Sequence, residues 1–109
     1  MYIGNDLPDM TPTDIRTVGL DFINDLAPGE ALVNSVAFCE IPPDLNVGAP
    51  TDPNPAAHIT NGPTVIGTSI GVQLTGLIAG IIYRIRVVGQ TNSGNHPELY
   101  AHLRCVPLD

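Results

Sequence analysis

Among the residues of this chain, His58, His96 and His102 are best suited to metal or proton-transfer chemistry, and their spacing argues against either. None repeats at the short interval by which two imidazoles reach one zinc ion. They fall in a loop, a turn and a strand and are expected as solvated or edge side chains. Asp44, Asp52 and Asn54 offer the hard oxygen ligands that Ca²⁺ takes, but without the fixed positions of an EF-hand loop. They are expected as solvated loop groups, and Ca²⁺ binding by the carboxylates stays open. A hydrolase needs a nucleophile beside a base, or two carboxylates in one cleft, and no spacing here supplies either. The expectation is a protein that is not an enzyme and has no catalytic residue, cofactor or metal. Arg84 and Arg86 alternate with Ile85 and Val87 and should share one side of a strand. Two readings stay open: surface pairing with Glu40 or Asp21, or contact with an acidic neighbour in an assembly.

The balance of charge narrows the partners. Four basic residues, all arginine, stand against 11 acidic ones, a formal net charge of −7. Nucleic acid is excluded as a partner, because phosphate binding needs a basic surface. No run of ~20 apolar residues spans a membrane, and Met1 to Asp14 lacks the basic and apolar regions of a secretory signal. A chain made and kept in a cytoplasm is therefore expected, with Cys39 and Cys105 as free thiols. Charged residues are 14% of the chain, against about 25% in an average soluble protein. Part of the surface is therefore expected to meet other subunits.

Eleven glycines and eleven prolines cut the 109 residues into short segments, none holding a helical period for three turns. Strands are predicted at 16–22, with Val18, Leu20 and Phe22 on one face, and at 32–41. Further strands are predicted at 69–75, with Ile70, Val72 and Leu74 on one face, at 81–90 and at 99–106. Six prolines between Pro42 and Pro63 predict a long loop with at most a short edge strand at 57–60. Asn61-Gly62 reads as a hairpin turn. Residues 1–14 are expected as an N-terminal extension and 15–107 as one β-sandwich of about seven antiparallel strands. Phe22, Phe38 and Tyr83 are assigned to its core. Val33, Ile82, Val88 and Leu103 cannot all point inward with Val36, Tyr83, Val87 and Cys105, so an apolar surface patch is expected.

Leu77, Gly80 and Tyr83 resemble the tyrosine corner of immunoglobulin-like and fibronectin type III domains. Gly80 allows a tight crossover, Leu77 plugs the core, and the Tyr83 hydroxyl satisfies a backbone group. Arg84 to Val87 and the Thr91–Gly94 turn look like the fibronectin F strand and F–G turn, although the chain has no tryptophan. The series Leu20-Asp21-Phe22, Gly29-Glu30, Val33 to Val36, Gly67-Thr68, Gly76, Gly80, Tyr83 and Thr91 to Gly94 resembles small accessory virion proteins of tailed bacteriophages, including fibre-tail adaptors. That resemblance implies a non-catalytic virion structural protein attaching one protein to another, either a fibre-tail adaptor or a capsid decoration protein. It implies capsid, tail or fibre partners and a homo-oligomer, with a trimer favoured. Arg84, Arg86, Pro43, Pro50, Pro53 and Pro55 are the candidate contact residues, the prolines on a loop expected to reach toward the partner. The rival is a carbohydrate or cell-surface recognition module, which would need exposed aromatics; aromatic content is 5%.

Overall fold

The computed structural model describes residue 2 and residues 7–107, which form two three-stranded antiparallel sheets packed face to face. The strands are β1 (Ile15–Asp21), β2 (Leu32–Glu40), β3 (Ile59–Ile66), β4 (Ser69–Thr75), β5 (Ile82–Thr91) and β6 (Glu98–Arg104). One sheet has the order β1-β4-β3 and the other β2-β5-β6. Alternation makes the core. Val18 lies opposite Val72 and Leu20 opposite Ile70, and all four are buried against Tyr83, Ile85, Val87, Leu99, Ala101 and Leu103 of the other sheet. Each such aliphatic side chain contributes roughly 1.5–3 kcal/mol by leaving water. Cys39 and Cys105 are free and buried, and burial pushes the Cys39 thiol up to about 12.

Six strands stand where about seven were expected, because the chain before β1 builds no ladder of its own among the described residues. It docks instead along β6: Leu7 N–H donates to the His102 carbonyl and Met10 N–H to that of Arg104. Met10 is fully buried, so the segment read as an extension supplies part of the core.

The stretch 42–63 also differs from a plain loop. It forms short 3-10 turns at Pro43–Leu45 and Pro55–His58 and then enters β3 at Ile59. Asn61-Gly62 is not a hairpin turn; it lies inside β3, where the register against β4 shifts on both sides of Asn61. Gly62, at φ +99°, approaches the Gly71 carbonyl so closely that a Cβ would lie 2.8 Å from its oxygen. The hairpin connecting β3 to β4 instead turns at Gly67-Thr68.

Phe38 is on the outer face of β2 with 37% of its surface exposed, and Val36 is also exposed. A register shift between Leu32 and Asn34 resets the alternation, so Val33 and Val36 both face outward. Leu103 is buried together with Cys105 because the two are an even step apart on the extended chain, Cys105 lying just past the end of β6. Ile82 and Val88 lie half-buried on the outer side of β5.

Candidate functional site

Between β4 and β5 the chain crosses from one sheet to the other through residues 76–81. Gly80 takes φ +92° and lies against Pro50, whose ring would contact a Cβ there at 3.3 Å. Leu77 is buried at the end of the core. Tyr83 is fully buried, and its hydroxyl accepts from the Ile78 amide at 3.0 Å.

That hydroxyl still has a proton to donate, and donates it to Asp52 Oδ2 at 2.7 Å. The same oxygen accepts from His58 Nε2 at 2.6 Å, and Asp52 Oδ1 accepts from the Asn54 amide. His58 Nδ1 lies 3.1 Å from the Thr75 carbonyl. The imidazole is thus held between a carboxylate and a backbone carbonyl, one at each ring nitrogen. Only 4% of the Asp52 side chain and 13% of the His58 side chain remain exposed. Burial pushes the Asp52 carboxyl up; the hydrogen bonds from Tyr83, His58 and the Asn54 amide outweigh it and leave the group below the usual carboxylate range. Burial drives the Tyr83 phenol upward, and the neighbouring Asp52 charge adds to this.

Asn46 anchors the same loop a second time. Its side-chain amide donates to the Pro42 and Ile82 carbonyls and accepts from the Ile82 N–H at 2.8 Å, standing in for a strand neighbour at the start of β5. The Pro-rich segment is therefore tied down at two points. Pro43, Pro50 and Pro53 remain exposed, Pro55 opens the second 3-10 turn half-buried, and Leu45 and Val47 project into solvent.

The outer face of the β2-β5-β6 sheet holds a different cluster. Val36 lies opposite Val88, Phe38 opposite Arg86 and Glu40 opposite Arg84, and on the other side Tyr100 lies opposite Arg86 and His102 opposite Arg84. Glu40 accepts from Arg86 through both carboxylate oxygens, at 3.0 and 3.1 Å, and from Arg84 Nε at 3.2 Å. The Arg86 hydrogen bond pulls the Glu40 carboxyl below its ordinary value against partial burial, with Arg84 adding to it. The Arg86 guanidinium stands 4.1 Å over the Phe38 ring, and that of Arg84 stands 5.6 Å from the Tyr100 centroid. Tyr2, Tyr100 and His102 contact one another ring to ring. Beside them a recess of about 270 Å³ is lined by Leu7, Asp9, Ile82, His102 and Arg104.

Arg84 and Arg86 thus come together with Glu40. Asp21 is on the other sheet, where its carboxylate takes the Thr68 hydroxyl and the Ile23 amide. Asp44 is exposed as expected, whereas Asp52 and His58 are buried partners and not solvated groups. The one sequence signal for Asp52 was the corner itself: a buried tyrosine whose oxygen accepts from backbone must find an acceptor for its proton. Among the described residues no three His, Cys, Asp or Glu side chains gather as a metal site, and no helix is long and apolar enough to cross a membrane. Comparison with protein-family models, with curated proteins and with solved structures returns no match.

Proposed function

We propose that this protein is a non-catalytic attachment domain of a tailed-bacteriophage virion, gripping another virion protein with the outer face of its β2-β5-β6 sheet. The observation that carries this is the composition of that face: Val36, Phe38 and Val88 beside two arginines laid over aromatic rings. Aromatic residues and arginine are the types that concentrate binding energy in protein interfaces. Because Glu40 and Glu98 together supply two negative charges to the two arginines, with Glu98 3.6 Å from Arg86, burying the cluster needs no new counter-charge from the partner.

The finer fold reading, an immunoglobulin-like domain, is supported by two features. The order β1-β4-β3 with β2-β5-β6 follows the B-E-D and C-F-G sheets of that fold with the first strand left out. The Tyr83 hydroxyl binds back to the chain at Ile78, as in a tyrosine corner. The placement in the virion rests on the sequence resemblance, and the virion and host-cytoplasm location follow from it.

The test is to mix the purified chain with the capsid, tail and fibre proteins of its particle and measure binding by calorimetry. One of them should bind, and Phe38→Ala or Arg86→Ala should weaken it by about tenfold or more, as at an interface hot spot. Binding to none of the three classes would overturn the reading.

One observation favours a second reading, carbohydrate recognition: Tyr2, Tyr100 and His102 form an aromatic group beside a recess that also holds Asp9 and Arg104. A sugar ring stacked on Tyr100 would find hydroxyl partners there. Oligosaccharide binding lost in Tyr100→Ala would decide for it.

A further inference from the structure

Four strand edges bound the two sheets, and three are protected. The N-terminal segment covers β6 through its bonds to His102 and Arg104. β2 and β3 lie beside each other where the two sheets close, and β3 also carries Pro63 and two register shifts, features that spoil an edge for further pairing.

β1 has none of these devices. It pairs with β4 without a shift from Ile15 to Asp21 and contains no proline or lysine. Its hydrogen-bonding direction follows from one bond just past its end. Phe22 N–H donates to the Thr68 carbonyl, continuing the register that sets Asp21 opposite Ser69. Residues of that parity, Arg16, Val18 and Leu20, therefore aim N–H and C=O at β4. Ile15, Thr17, Gly19 and Asp21 aim theirs away, and among the described residues no backbone bond outside the sheet ladder meets them.

We infer that this edge is a self-association seam: two copies pair antiparallel about a two-fold axis at Gly19, joining their β1-β4-β3 sheets into one continuous sheet. The residues make this register self-complementary. Gly19 meets Gly19 of the second copy, and Thr17 meets Asp21, so the groups that face outward exchange their N–H···O bonds. The Thr17 hydroxyl comes beside the Asp21 carboxylate, of which Oδ1 serves Thr68 and Ile23. Ile15 in β1 and Ile23 in the 3-10 turn (Ile23–Asp25) that follows it are large exposed apolar residues at the two ends of the seam, at 69% and 60%. Centring the axis on Val18 instead would set Ile15 against the Asp21 carboxylate. Across the outer face Gly19 is opposite Gly71, and no atom lies within 4 Å of a Cβ built at Gly19, so a neighbouring backbone approaches unobstructed. A two-fold axis closes the assembly at two copies for each seam. The seam is on the sheet opposite to Phe38 and Arg86, so its failure and that of the proposed attachment face are separate results.

The experiment is sedimentation equilibrium of the full chain from low micromolar to millimolar concentration, with Gly19→Pro, Ile15→Lys and Val36→Asp. Gly19→Pro removes an N–H that no bond among the described residues uses, and Ile15→Lys changes an exposed side chain; circular dichroism checks that each is folded. A monomer–dimer equilibrium is expected, weakened about tenfold or more by Gly19→Pro and Ile15→Lys and unchanged by Val36→Asp. Amide exchange at Thr17, Gly19 and Asp21 should slow as concentration rises. A monomer at every concentration, a trimer, a dimer indifferent to both β1 substitutions, or one abolished by Val36→Asp would each overturn the seam.

Discussion

Asp52 and Glu40 do the same thing in two different places. Each is a carboxylate holding two side chains: Tyr83 and His58 for Asp52, Arg84 and Arg86 for Glu40. Asp52 is almost sealed from water, at 4% side-chain exposure, whereas the Glu40 side chain keeps 31%. The first carboxylate joins a loop to the core where the freed partners would have no water to turn to. The second lies on a sheet face, where released arginines are resolvated. Two carboxylates with the same number of side-chain partners therefore carry very different weight, and the difference lies in the cost of leaving the partners unpaired.

Asp52→Ala should break this comparison most visibly. It leaves the Tyr83 hydroxyl and the His58 ring nitrogen without their partner, and a loss of about 2–6 kcal/mol is expected from urea denaturation, at about 1–3 kcal/mol for each buried group left unpaired. A loss below ~1 kcal/mol would put the buried site on the same footing as Glu40.

Acid titration tests the same group without removing it. The folded Asp52 carboxyl lies below its ordinary value of 3.8, so its contribution is complete above that value and is lost as pH falls through the lowered one. Denaturant midpoints of the wild-type chain should drop below about pH 4, and Asp52→Asn should flatten that drop. An equal acid slope in both proteins would place the linkage elsewhere.

Tyr83→Phe should cost about 1–2 kcal/mol, since the Ile78 amide and Asp52 each lose a partner. In a double-mutant cycle with Asp52→Ala the two losses should fall short of additivity, because both remove one bond. Full additivity would mean that the 2.7 Å contact carries no energy.

Glu40→Gln gives the smallest effect, within about 1 kcal/mol in stability and weaker still at high salt, as for exposed ion pairs. Its sharper readout is attachment: with only Glu98 left beside Arg86, the arginine pair would carry one uncompensated charge into the proposed interface. A stability loss as large as that of Asp52→Ala would erase the distinction between the two sites.

Much of the fold was legible because strand alternation is a local property. Val18, Leu20 and Phe22, and Ile70, Val72 and Leu74, reveal their shared inward faces through spacing alone, whereas Leu77, Gly80 and Tyr83 were legible through their resemblance to a tyrosine corner. The pairing of Arg84 and Arg86 with Glu40 was half legible: parity put both arginines on one side, while Asp21 competed as a partner until the two sheets were told apart. Phe38 was misassigned because the bulge at the start of β2 changes which residues face inward, and a bulge has no clear sign in Leu32-Val33-Asn34.

Composition and periodicity were sufficient for an all-β chain with two layers, and the resemblance to a tyrosine corner added a glycine-dependent crossover with a tyrosine placed to serve it, since each depends on neighbours a few residues apart. The partners of that tyrosine lie 25 to 31 residues away, in a segment whose prolines suggested a free loop, and chain spacing carries no information about contacts closed over such a distance. Folding brought Asp52 and His58 to the corner, turned Phe38 and Tyr100 outward around the arginines, and left β1 with an open edge. Each of these follows from how the two sheets stack and which strand ends up at a border.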